Sequence, residues 1–263
     1  MSAQRAAIAG LAALVALAAG RAMAAGEDID WMPVDSFEIA RTETTIGQFR
    51  RFADATGRVT EAERAGGGTV YETGWVHKRG WTWRNPFGGS SAAAADEPAV
   101  HLSYDEAQSF CRWAGGRLPT DGEWVLAAYT ETRANPPTPF VSGRRYAYPA
   151  GDSPAGAQCL DDCGAEAQRR AVRNGAALAR GHGHARVSST PAGVNGLHDM
   201  GGNAWEWIGE ANEGGPDTER AMRGGSWWYG AAQMRADHVQ RKPGGTAAVY
   251  IGFRCARDRG RPR

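Results

Sequence analysis

Asn195-Gly196-Leu197-His198-Asp199-Met200-Gly201-Gly202-Asn203-Ala204-Trp205-Glu206-Trp207 is the stretch on which the reading of this chain turns. The Gly201-Gly202 pair lets the backbone fold back sharply, because glycine adopts positive φ at no steric cost. Asp199 and Glu206 lie on either side of that turn, and Trp205 and Trp207 flank the second carboxylate. Two hard oxygen donors on a folded-back loop, with backbone carbonyls between them, are what a calcium ion requires. The same spacing suits a tight turn whose carboxylates cap backbone amides. Beyond the turn, Ala204, Glu206 and Ile208 alternate with Trp205 and Trp207, the pattern of a strand with one apolar face.

Outward from this stretch, the chain reads as a leader and one domain. Arg5 supplies a positive start, residues 8–19 form an apolar run interrupted by Gly10, and Ala22-Met23-Ala24 offers a small-x-small cleavage site. Residues 1–25 are therefore expected to be a secretory signal of bacterial type, and residues 26–263 a single domain in the periplasm or secreted. The apolar run is too short to be read as a spanning helix, so no membrane contact is expected after cleavage. A formal net charge of +1 gives no electrostatic case for nucleic acid. With 36 glycines and 10 tryptophans, the chain suits a loop-rich fold pinned by large aromatic anchors. A monomer is expected.

Three helices are marked by capping boxes. Thr45 with Gln48 opens one that turns Ile46, Phe49, Phe52 and Ala53 inward. Ser103 with Glu106 opens a second, carrying Ala107, Phe110, Cys111 and Ala114, and Gly115-Gly116 ends it. Thr120 with Glu123 opens a third, burying Trp124, Ala127 and Ala128. Between them the chain is irregular. Trp75, Trp81 and Trp83 belong to an aromatic segment expected to pin a long loop onto the core. Residues 90–96 read as a surface excursion, and residues 135–139 and 164–185 as insertions. His182 and His184 read as part of an exposed loop without the support a metal ligand needs. Short strands, glycine-rich turns and a few helices predict an irregular α+β domain. Four cysteines, Cys111, Cys159, Cys163 and Cys255, permit three pairings in an oxidising compartment.

The quoted stretch resembles the signature of the formylglycine-generating enzyme (sulfatase-modifying factor) family. So do Trp113-Ala114-Gly115-Gly116-Arg117-Leu118-Pro119-Thr120, Arg223-Gly224-Gly225-Ser226-Trp227 and Gly252-Phe253-Arg254-Cys255, in the family's order. The resemblance implies a C-type-lectin-like variant fold and a Cys111–Cys255 disulfide. It also implies a structural calcium held by the side chains of Asp199 and Glu206 and the carbonyls of Gly202 and Ala204. In the copper-dependent members, two cysteines follow the Gly-Gly-Ser motif, and their places here hold Tyr229 and Met234. Paired thiolates suit Cu(I), so no copper is expected, and Cys159 and Cys163 are expected to lie in another loop. Cysteine-lacking relatives include a periplasmic protein of pyoverdine maturation and proteins accompanying nitrite reductase.

The polar residues that remain after the motif are Ser226, Tyr229, Arg235, Asp237 and His238. Tyr229, Asp237 and His238 are the catalytic candidates, since histidine titrates near neutrality. Ser226, Trp228, Met234 and Arg235 are candidates for the substrate groove. An Arg235–Asp237 ion pair that merely braces the loop is the competing reading. Two functions follow. One is a maturation factor, of oxidative type, for an exported peptide, a siderophore precursor or a periplasmic enzyme. The other is a non-catalytic peptide- or protein-binding module.

Overall fold

Thr45, Ser103 and Thr120 open helices as their sequence contexts predict. At each, the hydroxyl accepts from the backbone amide three residues on, and that residue's side chain accepts from the cap amide. The computed structural model describes residues 28–89, 93–171, 183–210 and 215–260, so the expected signal and His182 lie outside the described residues. The elements run β1 (Trp31–Val34), β2 (Phe37–Ala40), α1 (Ile46–Thr56), α2 (Glu61–Arg64), β3 (Gly67–Tyr71), β4 (Trp75–Arg79), α3 (Tyr104–Trp113), α4 (Asp121–Tyr129) and α5 (Glu166–Arg170). They continue with β5 (Trp205–Trp207), β6 (Glu219–Arg223), β7 (Gln240–Pro243), β8 (Ile251–Gly252) and β9 (Ala256–Asp258). A fourth capping box, Thr60 with Glu63, starts the short α2.

Three small sheets organise these pieces. One has the order β1-β2-β9, one is the β3–β4 hairpin, and one has the order β7-β6-β5-β8 with β5 parallel to β8. The main core fills the space between α1, α3 and the last sheet. Phe49 packs 4.9 Å from Trp83 and 5.8 Å from Phe110, and Phe110 lies 5.4 Å from Phe253. A second cluster joins Trp124, Ala127 and Ala128 of α4 to Val34, Phe37 and Ile39 of the first sheet. Cys111 of α3 is bonded to Cys255, 144 residues away. Closing so long a loop contributes about 5 kcal/mol in the chain-entropy treatment.

Several sequence expectations need correction. β5 has no polar face, because Trp205, Glu206 and Trp207 are all buried, with Ala204 and Ile208 beside them. Of the aromatic segment, Trp81 and Trp83 are pinned in the core, but Trp75 is 46% exposed. The described end of the expected surface excursion is anchored: Ala93 is buried, and the Ala95 carbonyl accepts from Gly47 N at 2.8 Å. His184 is fully buried rather than exposed. Its Nε2 lies 3.0 Å from Glu97 Oε2 and its ring packs on Phe87. Within residues 164–171, α5 puts Ala167 into the interior.

His101 shows how tightly this interior is closed. It is fully buried, its Nε2 meets the Pro86 carbonyl at 2.9 Å, and its ring fills the place a side chain at Gly68 would need. Burial pushes its pKa down to about 4. Below pH 6.5 the unfolded chain therefore binds a proton that the folded chain refuses. The stability is fully present above that pH and is lost as pH falls toward 4. Urea unfolding at pH 7 and pH 4.5 should show the wild type losing about 2–3 kcal/mol more than His101→Gln. Equal losses in the two proteins would refute the assignment.

Candidate functional site

The stretch 195–207 is held by side chains that satisfy one another. Asn195, Asp199, Gly202 and Asn203 all adopt positive φ, between 52° and 83°. Asparagine and aspartate tolerate that region better than other side chains. At Gly202 nothing else fits, because a Cβ would come within 2.4 Å of the Gln158 carbonyl oxygen. Asn195 accepts from Thr132 and donates to the carbonyls of Ala127 and Thr130, which ties the loop to the end of α4. Asn203 donates to Glu43 and accepts from Ala185 N.

Three buried carboxylates gather here around one guanidinium. Arg254 holds Glu206 in a two-point contact at 2.7 and 2.8 Å, and Trp124 Nε1 donates to the same carboxylate at 2.8 Å. Asp199 accepts from Thr190 Oγ1 at 2.6 Å and Ser188 N at 3.0 Å. Glu43 accepts from Ala204 N and Asn203. Burial, then the charges of Asp199 and Glu206, push the Glu43 pKa well above the usual carboxylate range. With Glu43 pushed toward its neutral form, the charges of Asp199 and Glu206 face the one guanidinium. Of the expected calcium donors, Asp199 keeps a lone pair on each oxygen and Glu206 keeps one on Oε1. Asp199 thus has more free acceptor capacity than Glu206, which Arg254 and Trp124 engage, and the described residues hold no group of three or more carboxylate, histidine or cysteine side chains arranged to hold a metal ion.

The segment after Gly224-Gly225-Ser226 turns through a 3-10 helix at Ala231–Met234. Ser226, Trp228 and Met234 are buried, so they underlie any groove rather than line it. Tyr229 is half-buried, 5.8 Å from Trp205 and 5.9 Å from Tyr250. The His238 ring lies 5.7 Å from the same Trp205, so the structure brings Tyr229 and His238 to one indole. Burial, and more weakly Arg223, lowers the His238 pKa against the opposing charge of Asp237. Its buried Nε2 has no hydrogen-bond partner. Asp237 turns outward instead, 3.5 Å from Arg235, with both side chains exposed beside Arg145 and Tyr146. An imidazole and a phenol bordering one indole can each take part in proton transfer; neither group alone supplies electrons.

Sequence reasoning missed where the second cysteine pair lies. Cys159 and Cys163 are bonded, but their loop abuts the motif segment. Cys163 Sγ is 3.9 Å from Met234 Sδ, and Leu160 N donates to the Tyr229 carbonyl at 2.9 Å. Nothing in the spacing of the cysteines signals that contact. Elsewhere, a groove of about 620 Å³ runs between the β3–β4 hairpin and β7, lined by Trp75, His77, Thr69, Lys242 and Glu61 among others.

A sulfatase-modifying factor enzyme 1-like domain matches residues 5–259. The formylglycine-generating enzyme of Streptomyces coelicolor is 31% identical over 259 residues, covering 84% of this chain and 78% of the relative. The chain belongs to the formylglycine-generating enzyme family. The inactive C-alpha-formylglycine-generating enzyme 2 of Mus musculus is 30% identical over 261 residues, covering 88% of this chain and 78% of that protein. The solved structure of PvdO from Pseudomonas aeruginosa shares the fold, with a TM-score of 0.55, 19% identity and coverage of 84% and 80%. This member of the formylglycine-generating enzyme family therefore has the mixed α+β, C-type-lectin-like architecture. Its four cysteines are all bonded, leaving no free thiol among them.

Proposed function

We propose that this chain is an exported maturation factor of the formylglycine-generating enzyme family. It acts on a peptide, a siderophore precursor or an enzyme in the same compartment, without copper held by two thiolates after the Gly-Gly-Ser motif. The observation that carries this reading is the pair Tyr229 and Met234. By the family resemblance, a phenol packed on Trp205 and a buried thioether take the places of the copper-dependent members' cysteines. Two disulfides agree with an oxidising compartment. His238, kept neutral by burial beside Tyr229's neighbour Trp205, is the proton acceptor of this reading, and Asp237 with Arg235 braces its loop. Non-catalytic peptide binding is the second reading, favoured by the half-exposed Trp75 in its groove.

Intact-mass analysis of the exported peptides of cells lacking this protein separates the readings. An unprocessed precursor should accumulate, and wild type should clear it while His238→Gln and Tyr229→Phe should not. Clearance by His238→Gln and Tyr229→Phe, but not by Trp75→Ala, would support the binding module instead. If no precursor accumulates, the maturation reading fails.

A cysteine-containing sulfatase peptide, incubated with the purified protein, copper, reductant and oxygen, should gain no formylglycine. Conversion above a no-enzyme control would overturn the reading of Tyr229 and Met234.

Calcium belongs to the same proposal. Asp199, the carbonyls of Gly202 and Ala204, and the remaining lone pair of Glu206 would hold it. The ion would supply positive charge to the carboxylate cluster. A ligand bound only by the folded state stabilises it by about 2.7 kcal/mol at a hundredfold excess over Kd. Chelator should lower the Tm of calcium-loaded wild type and leave Asp199→Asn unmoved. An unchanged Tm in the wild type removes calcium from the proposal.

A further inference from the structure

The groove between the β3–β4 hairpin and β7 is short of positive charge. Glu61, Asp217 and Glu219 line it, and among the described residues none of the three joins an ion pair. Of the two cations on its walls, Arg241 is taken by Glu210, which lies 2.9 Å away and outside the lining. Three carboxylates therefore face one unpaired ammonium, that of Lys242, with the imidazole of His77 beside them.

The Lys242 ammonium marks where positive charge settles. Its Nζ stands 5.3 Å from the centre of the Trp75 ring, within the distance of about 6 Å at which an indole face attracts a cation. Trp75 is exposed, and the exposed Tyr71 meets it edge-on at 5.6 Å, so the aromatic surface continues past the groove. The floor is nearly bare of side chains, with Gly67, Gly68, Gly245 and Ala247 in it. A Cβ at Gly245 would lie 3.6 Å from Glu61 Oε2, which puts that carboxylate over the floor.

We propose that this groove docks a basic segment of a partner polypeptide, its arginine or lysine side chains lying on Trp75 and among the three carboxylates. Those carboxylates come from separate parts of the chain: Glu61 opens α2, Asp217 belongs to the loop before β6, and Glu219 opens β6. A single small cation satisfies one of them, whereas a run of cationic side chains on one chain meets them all. An acidic segment would bring like charges together, which suppresses that class of partner. Lys242 occupies the indole face that a guest cation would use, so it competes with the guest. None of Tyr229, Asp237 and His238 lines the groove. The inference rests on the binding reading of the groove, whose partner it names, and is independent of proton transfer at His238.

The test is isothermal titration calorimetry of the protein with a peptide of alternating Arg and Ala, capped at both ends. Peptides of the same length with Gln or Glu in place of Arg are the controls. The Arg peptide should bind at least tenfold more tightly than either, and about 0.5 M salt should weaken it at least tenfold. Trp75→Ala, and Glu61→Gln combined with Glu219→Gln, should each lose at least tenfold in affinity while circular dichroism and Tm stay as in wild type. Lys242→Gln should tighten binding, a response that a merely structural lysine would not give. His238→Gln and Tyr229→Phe should bind as wild type does. The proposal is overturned if the Arg peptide fails to bind, or binds no better than the Glu peptide. It is equally overturned if Trp75→Ala or the double variant matches wild type, or if Lys242→Gln weakens binding. Loss of the signal in an equal concentration of arginine amide would make the groove a small-cation site, and the proposal would again fall. If Trp75→Ala leaves the precursor uncleared in cells while the Arg peptide does not bind, the binding reading survives and only this choice of partner fails.

Discussion

The ion pair between Arg254 and Glu206 is the constraint on which the rest of this structure leans. Both side chains are at most 1% exposed, yet between them they reach three other parts of the chain. Arg254 donates to the carbonyls of Ala40, Arg41 and His198, and Glu206 accepts from Trp124 of α4. The pair thus fixes the C-terminal strand region against β2, against the loop 195–207 and against α4 at once. A buried pair of this kind adds little net stability over apolar groups of the same shape, but losing one partner costs about 3–5 kcal/mol. Its contribution is registry. Strands only two to five residues long cannot define their own alignment, and here a two-point charged contact does so for β5 and its neighbours.

That registry lets much of the domain consist of loops. Buried polar groups replace sheet hydrogen bonds: Asn195 satisfies the end of α4, Asn203 reaches Glu43 and Ala185, and Asp199 gathers Ser188 and Thr190. A buried donor or acceptor left unpaired costs about 1–3 kcal/mol, so each of these side chains restricts its loop to one path. Accumulating negative charge is the consequence. Glu43 resists ionisation because it is buried and because Asp199 and Glu206 are near.

Local features of this fold were legible in the sequence, and contacts between distant loops were not. Capping boxes at Thr45, Ser103 and Thr120 follow from hydrogen bonds three residues apart, so the helices could be read directly. The box at Thr60 obeys the same rule but opens a four-residue helix too short to show periodicity. Glu206 sits in an alternating pattern that suggests an exposed face, and Arg254, 48 residues away, together with Trp124, explains its burial. His184 is hidden for the same reason, since Glu97 and Phe87 approach it from a distant segment. Among the candidate site residues, Tyr229 and His238 do share Trp205, whereas Asp237 turns away from them. Adjacent residues in a turn point in different directions, and their spacing cannot say which one faces inward.

The segment that bears the candidate chemistry is held from below by its backbone. Arg223, paired with Asp121, donates to the carbonyls of Ala236 and His238, and Tyr129 donates its hydroxyl proton to the carbonyl of Met234. Leu160 N holds the Tyr229 carbonyl. Carbonyl groups are the same whatever side chain they carry, so these anchors survive replacement of the residues between them. A loop fixed in this way keeps its path whatever side chains stand at Tyr229 and Met234. The constraint that remains is volume: Met234 is fully buried against the Cys159–Cys163 bond, and a group placed there must fill that space. Shape and chemistry are therefore specified by different atoms of the same residues. That is how a frame built around Arg254 and Glu206 fixes the path of the segment independently of the side chains it carries.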